Sequence, residues 1–435
     1  MSIGGRPRSF SRTHIRVLTR DHRRFPTRRR RLRSVLTACT AASALAFGGA
    51  GQVAADPYPG FYDPPPAFDT RPGSLIRSAP SYAAIIPFTG ANIDARTTTV
   101  MYASTGARNR PTAVTGSVLV PRSPWTGRGE RPVVVVGSGT IGAGDQCAPS
   151  RLLRYGQAYE ELAIGALLAN GYAVALTDYE GLGTPGDHPY LNRRSLGTSM
   201  LDMARAARNP KFGVSAQAPV ALWGYSEGGF AAGSAAELAG SYAPELPIFG
   251  AFAGAPAADL ADLARLGDGS LLGGGVGWVV NGFIAAYPER RAEFLSVFNP
   301  LGRNVLRQVN SYCVFDVLRM NPFVPTTFYT RDGRPIATHL RKEPWRTAVN
   351  DQRLGRVAPR MPILVSQNRG DDVVDARGTD RMVRSWRAQG ADVTVETMYL
   401  PLVLPGTFLG HGIGLTSELA ALSWLNDKAA ALPAR

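Results

Sequence analysis

Between Pro219 and Leu238 the sequence passes from a short apolar run, Pro219 to Trp223, through Gly224-Tyr225-Ser226-Glu227-Gly228, into a helical pattern from Gly228 to Leu238. A serine between glycines at such a junction is predicted to sit on a tight, strained turn, because glycine lets backbones approach where any Cβ would clash. Its hydroxyl would then face the free amides and positive end of a helix, where an oxyanion formed on attack is stabilised. The pentapeptide alone arises by chance. The strand before it and the helix after it make it a nucleophile elbow, set against a structural turn serine.

A serine hydroxyl is unreactive at neutral pH until a base takes its proton, so a histidine and an orienting carboxylate are required. The chain has five histidines, of which His14 and His22 lie in the basic leader. Where a nucleophile elbow lies in an α/β-hydrolase, the order is Ser, then Asp or Glu, then His near the C-terminus. His411 alone follows a plausible acid strand and is the predicted base; His188 and His339 read as surface or packing histidines. The strand Pro362 to Ser366 runs into Gly370-Asp371-Asp372-Val373-Val374-Asp375. Asp371 and Asp372 are both placed to leave the sheet at its C-terminal edge, with Asp375 an outside candidate, and the valines are expected to anchor the loop. The glycine-rich stretch Gly137 to Gly144 follows the strand Pro132 to Val136. It is either an ordinary turn or the loop that presents a second oxyanion donor, so the expected donors are the backbone N–H groups of Glu227 and of Thr140 or a neighbour.

Further apolar runs at Ala113–Val120, Tyr172–Thr177, Ile248–Ala253, Pro362–Val365 and Val393–Met398, bounded by Gly and Pro, read as strands. Helical patterns such as Ser195 to Arg208 alternate with them, so the predicted fold class is α/β, a mostly parallel sheet covered on both faces. Alternation stops between Ala253 and Pro362, where glycine punctuation mixes with apolar patches around Trp278, Phe283 and Ile284. Residues 254–361 are expected to form a helical cap or lid, with core at 111–253 and 362–435. Residues 56–110 would be a proline-rich arm lying on the surface, followed by the start of the core.

The net charge of +15 invites a nucleic-acid reading, but residues 1–55 hold 12 arginines, no lysine and one acid, leaving 36 basic against 32 acidic residues elsewhere. Those arginines precede an apolar, alanine-rich stretch ending in Val53-Ala54-Ala55, the pattern of a signal peptide cleaved near Ala55. Secretion follows; the competing reading is an uncleaved anchor, which Gly48, Gly49 and Gly51 argue against. Leu36-Thr37-Ala38-Cys39 has the form of a lipoprotein box but lacks an apolar segment before it. Cleavage near Ala55 leaves Cys147 and Cys313, which in an exported chain most simply pair, two buried thiols being the alternative. No cysteine–histidine spacing suggests a metal, and no cofactor is expected.

Taken together, several motifs resemble the secretory lipase family, the lipase A type of α/β-hydrolase found in fungi and actinobacteria. They are Phe61-Tyr62 with the proline arm, Asp145-Gln146-Cys147-Ala148-Pro149-Ser150, Tyr179-Glu180-Gly181, the elbow continued by Gly229, and Gly370-Asp371-Asp372-Val373-Val374. The resemblance implies a Cys147–Cys313 bridge, Asp371 as the triad acid, a helical lid between Ala253 and Pro362, and fatty-acid esters as substrates. This chain departs from the family in having Asp375 where proline is frequent, and Ile141 where some members carry an acid, which leaves the second oxyanion role to backbone amides. The expected function is a secreted triacylglycerol lipase or long-chain carboxylesterase with lipid or ester substrates, making transient lipid contact through the cap. No nucleic-acid partner and no membrane span in the mature chain are expected. A short-chain esterase or an acyltransferase would use the same triad; a serine peptidase or a non-catalytic binding protein fits the motifs less well.

Overall fold

The computed structural model describes Met1 and residues 59–85, 90–400 and 404–433. The expected signal peptide, its cleavage site and Cys39 lie outside the described residues. A nine-stranded sheet has the order β1-β2-β3-β5-β4-β6-β7-β8-β9. Its strands are β1 (Leu75–Ser81), β2 (Ala95–Thr105), β3 (Pro111–Pro121), β4 (Val133–Gly137), β5 (Ala173–Thr177), β6 (Val220–Tyr225), β7 (Ile248–Gly254), β8 (Ile363–Asn368) and β9 (Val393–Met398). The β1/β2, β2/β3 and β3/β5 pairs are antiparallel. From β5 to β9 every pair is parallel.

Strands β4, β5 and β6 are buried along their whole length, which is why they read as unbroken apolar runs. Alternate side chains serve opposite faces. Val133 and Val135 pack with Met200 and Met203 of helix Arg193–Ala207 and Phe230 and Ala231 of helix Glu227–Tyr242. Val134, Val136 and Trp223 point the other way, onto Ile164 and Leu167 of helix Glu161–Ala169 and Ala421 and Leu425 of helix Glu418–Ala430. Each fully buried valine or leucine contributes about 1.5–3 kcal/mol relative to an exposed one. Because β4 is flanked by β5 on one side and β6 on the other, its loop and that of β6 diverge at a topological switch point, where open α/β sheets form their binding crevice.

One expectation about residues 56–110 is corrected, and the start of the core expected there takes the form of two strands. The arm is not all at the surface: Phe61 and Tyr62 are 8% and 3% exposed, packed with Met101 and Ala113, and the Tyr62 hydroxyl lies 2.9 Å from Ser150 Oγ. Prolines forbid helix and ladder there but leave the aromatic rings free to bury. The region also supplies two strands of 7 and 11 residues, β1 and β2. The half-buried β1 and the threonine run of β2 carry too few apolar side chains to stand out as strands.

Between β7 and β8 the chain is helical, including Leu260–Gly267, Val276–Ala286, Pro300–Val309, Val314–Met320 and Trp345–Gln352. This insertion is fastened to the loop after β4. Ala143 N–H donates to Tyr312 O at 3.0 Å, Val314 N–H donates to Ile141 O at 2.8 Å, and Cys147 is disulfide-bonded to Cys313. The bridge spans 166 residues, so its loss should release a large loop entropy in the unfolded chain. In urea unfolding, the Cys147→Ser/Cys313→Ser double variant is expected to lose about 2–5 kcal/mol of stability; an unchanged midpoint would contradict this.

Candidate active site

Ser226 caps helix Glu227–Tyr242 with φ +62° and ψ −120°, a left-handed backbone that non-glycine residues rarely adopt. The glycines around it allow the turn to close. A Cβ on Gly228 would stand 2.1 Å from Gly137 O, and one on Gly224 would stand 2.2 Å from Gly228 O. The helix start therefore presses directly on the end of β4, and Ser226 Oγ is presented at the crevice beside the loop after β4.

His411 lies in the short helix Leu409–Gly414 and is 1% exposed. Its Nε2 is 2.8 Å from Ser226 Oγ and its Nδ1 is 2.8 Å from Asp371 Oδ2. With a carboxylate accepting at Nδ1, that nitrogen carries the hydrogen, and Nε2 offers its lone pair to the serine hydroxyl. Asp371 Oδ1 accepts the N–H groups of Val373 at 2.9 Å and Val374 at 2.8 Å, and Val374 is 4% exposed, so the valines do hold the loop.

The three candidate acids occupy different positions. Asp372 turns to the histidine's backbone, accepting Phe408 N–H at 2.8 Å and His411 N–H at 3.1 Å. Asp375 caps helix Ala376–Ala388 and pairs with Arg265 and Arg377. Asn368, which no sequence signal singled out, donates from Nδ2 to Gly410 O at 2.8 Å and ties the acid loop to the histidine loop. The Tyr225 hydroxyl donates to His411 O at 2.7 Å.

Thr140 borders the same crevice as Ser226, Glu227 and His411. Its hydroxyl is 2.6 Å from Tyr190 OH, and its carbonyl accepts from Tyr159 OH at 3.3 Å. Glu227 opens the helix, where backbone N–H groups have no partner within the helix. His339 pairs with Asp332 at 3.3 Å, away from Ser226. His188 is 1% exposed; the expectation that it lies at the surface or in packing is narrowed to burial, with Nε2 3.2 Å from Glu227 Oε1. Apart from the neighbouring elbow, nothing in the sequence pointed to that pairing.

From Ser226 a cavity of about 240 Å³ leads into the helical insertion, between apolar side chains that include Leu263, Val276, Phe283, Ile336, Leu340 and Trp345. The aromatic patches noted in the sequence both pack and line. Trp278 is 1% exposed and donates Nε1–H to Val309 O at 2.6 Å, and the Phe294 and Trp345 rings lie 4.9 Å apart. Phe283 and Trp345 also face the cavity.

The model of the family described as Secretory lipase matches residues 148–434. A Mycobacterium tuberculosis protein named as a probable inactive lipase is 31% identical, over 86% of this chain and 82% of its own. The secreted triacylglycerol lipase LIP5 of Malassezia furfur is 26% identical, over 75% of this chain and 85% of its own. Among solved structures, Candida antarctica lipase A in its closed state has a TM-score of 0.73 at 22% identity and covers 89% of each chain. That likeness shows the fold, an α/β-hydrolase core with a mostly parallel sheet.

Behind the loop after β4, Glu160 is 8% exposed and accepts Gly139 N–H at 2.9 Å. Burial pushes its carboxyl up to about 7, and burial likewise pushes Glu418 up to about 7 and Glu161 up to about 8. A raised carboxyl in the native state binds a proton that the unfolded chain has released, so its contribution is fully present below the unfolded value and is lost as pH rises through the folded one. Stability is therefore expected to fall between about pH 4.5 and 8. Glu160→Gln should flatten part of that slope in thermal melts recorded across the window; a variant slope equal to that of the wild type would contradict the assignment to Glu160.

Proposed function

The chain belongs to the secretory lipase family, and from that premise we propose that it is a secreted enzyme hydrolysing carboxylic esters of fatty acids through an acyl-enzyme on Ser226. The observation that carries this reading is the run of two 2.8 Å contacts from Ser226 Oγ through His411 to Asp371, opening on an apolar cavity. One relative is named as probably inactive; the complete serine, histidine and carboxylate arrangement in this chain supports activity.

Attack begins as Ser226 Oγ adds to the ester carbonyl and its proton passes to His411 Nε2. Asp371, held by the Val373 and Val374 amides, keeps the ring in the correct tautomer and stabilises the imidazolium. Glu227 N–H, with an amide of the Thr140 region, receives the negative charge on the tetrahedral oxygen. His411 then protonates the leaving alcohol. A water, deprotonated by the same nitrogen, releases the fatty acid and restores the serine. Asp372 is assigned a supporting role through the backbone of His411.

The long-chain reading draws on the apolar lining of the cavity and on relatives named as secreted triacylglycerol lipases. On this reading residues 254–361 are the cap that encloses the acyl chain. Exposed Phe315, Met320, Phe323 and Phe328 on the insertion give it an apolar surface for transient lipid contact. Export is attributed to residues 1–55, and the family's secreted members support it. A second reading, a short-chain esterase, is favoured by the cavity's 240 Å³, small beside the roughly 300–1,000 Å³ of typical ligand sites.

A series of 4-nitrophenyl esters from acetate to palmitate separates the two. Each methylene buried is worth ~0.8 kcal/mol, so kcat/KM should climb about fourfold per added carbon until the cavity is full. An optimum at acetate would replace the lipase reading by the short-chain one. Ser226→Ala is expected to lower kcat by roughly 10⁶-fold and Asp371→Asn by roughly 10⁴-fold, with a smaller loss for Asp372→Asn. Undiminished hydrolysis by Ser226→Ala would overturn the nucleophile.

A further inference from the structure

Directly behind the elbow, His188 and Glu227 are 1% and 2% exposed, and the hydrolytic steps use neither side chain. His188 Nδ1 lies 2.7 Å from the backbone carbonyl oxygen of Glu180. That oxygen can only accept, so Nδ1 carries a hydrogen. His188 Nε2 lies 3.2 Å from Glu227 Oε1, and this contact requires one more proton, on the ring or on the carboxyl. With it the pair has no net charge, whichever atom holds it; without it a bare carboxylate remains.

The ring is firmly seated. It stacks on Tyr179 with centroids 6.1 Å apart and planes 16° apart, and it meets Tyr190 edge-on at 6.1 Å. Gly181 has φ +72°, and a Cβ there would stand 2.8 Å from His188 N, so the two halves of the loop touch. The Glu227 carboxyl also interacts with the Thr140 hydroxyl, which is 2.6 Å from Tyr190 OH. One side chain thus joins the elbow to the loop after β4.

We propose that His188 is a positioning residue for ester hydrolysis: it supplies the proton that neutralises the Glu227 side chain, keeping the oxyanion pocket between Glu227 N–H and Thr140 free of an opposing negative charge. The proposal rests on the reading of Ser226 as nucleophile. A carboxylate beside a developing oxyanion repels it strongly where water is excluded. The other groups facing Glu227 do not substitute for the imidazole. The phenols of Tyr159, Tyr179 and Tyr190 are pushed upward by burial and stay neutral at working pH. Glu160, which with Glu227 acts on Tyr159 and Tyr179, is another acid. His411 is engaged with Ser226 and Asp371 on the cavity side.

The test is a double-mutant cycle of His188→Gln and Glu227→Gln in the full chain, with kcat and KM for 4-nitrophenyl butyrate from pH 5 to 9 and circular dichroism of each variant. Glutamine at 188 keeps a polar group but can neither carry charge nor release a proton. His188→Gln is expected to lower kcat roughly 30-fold or more at pH 8, with KM changed less than about twofold, and the loss should shrink towards pH 5 as Glu227 takes a proton from solvent. In the Glu227→Gln background, where no carboxyl is left to neutralise, adding His188→Gln should lower kcat by less than about fivefold at pH 8, against the roughly 30-fold loss in the wild-type background. Losses that multiply in the double variant, or a His188→Gln profile parallel to that of the wild type, would overturn the proposal. Should His188→Gln fail to fold, His188→Asn is measured in its place: a kcat loss that shrinks towards pH 5 supports the proposal, and a profile parallel to that of the wild type overturns it. Absence of Ser226-dependent activity in the wild type would instead overturn the nucleophile reading.

Discussion

The site depends on one backbone constraint, the left-handed conformation of Ser226 at the junction of β6 and helix Glu227–Tyr242. A residue held at φ +62° persists only when its surroundings over-determine it. Here Ser226 N–H donates to Gly254 O at 2.8 Å, Phe230 N–H donates to Ser226 O at 2.9 Å, and the missing Cβ of Gly228 lets the helix rest against Gly137. The same close approach brings the loop after β4 to the serine, so one turn sets both the position of the hydroxyl and the place where an oxyanion would lie. The switch in strand order between β5 and β6 opens the crevice at that spot.

The elbow, the parallel strands and the acid loop were legible because each is a short-range pattern. Apolar runs of four to eight residues bounded by glycine and proline define buried strands, and Gly224 and Gly228 mark a contact with no room for a side chain. Less was legible where the signal is not local. β1 and β2 are rich in polar residues and paired antiparallel at one side of the sheet, so neither alternation nor hydrophobicity marked them. Tyr62 is buried by a partner 88 residues away, at Ser150. Asp371 and Asp372 are adjacent, and nothing local distinguishes the one whose carboxyl faces the ring from the one whose carboxyl faces the backbone. That difference of one residue is set by how the loop turns after Asn368, whose side chain accepts Gly370 N–H at 3.1 Å and Leu400 N–H at 3.2 Å.

Around this frame the chain buries an unusual set of ionisable groups close to Ser226: Glu160, His188, Glu227, Asp371, Asp372 and His411. Burying charge is costly unless it is paired or hydrogen-bonded, and each of these has a partner that limits the cost. Asp371 and Asp372 are satisfied by amides and by His411, Glu160 accepts Gly139 N–H at one carboxyl oxygen, and Glu227 is met by His188. The helical insertion completes the enclosure, fastened at Cys147–Cys313 beside the same loop, so that the apolar cavity begins where the polar network ends. A pre-ordered polar wall, its acids paired or hydrogen-bonded, facing an apolar void suits a reaction that develops negative charge on a substrate whose remainder is hydrocarbon.

The most direct test of the central claim is covalent labelling with a 4-nitrophenyl alkylphosphonate, read by intact-mass and peptide mass spectrometry. One adduct per chain on the peptide carrying Ser226, forming as nitrophenolate is released, is the result expected if the elbow, His411 and Asp371 act together on an ester-like centre. No adduct, or an adduct on another residue, would contradict the account.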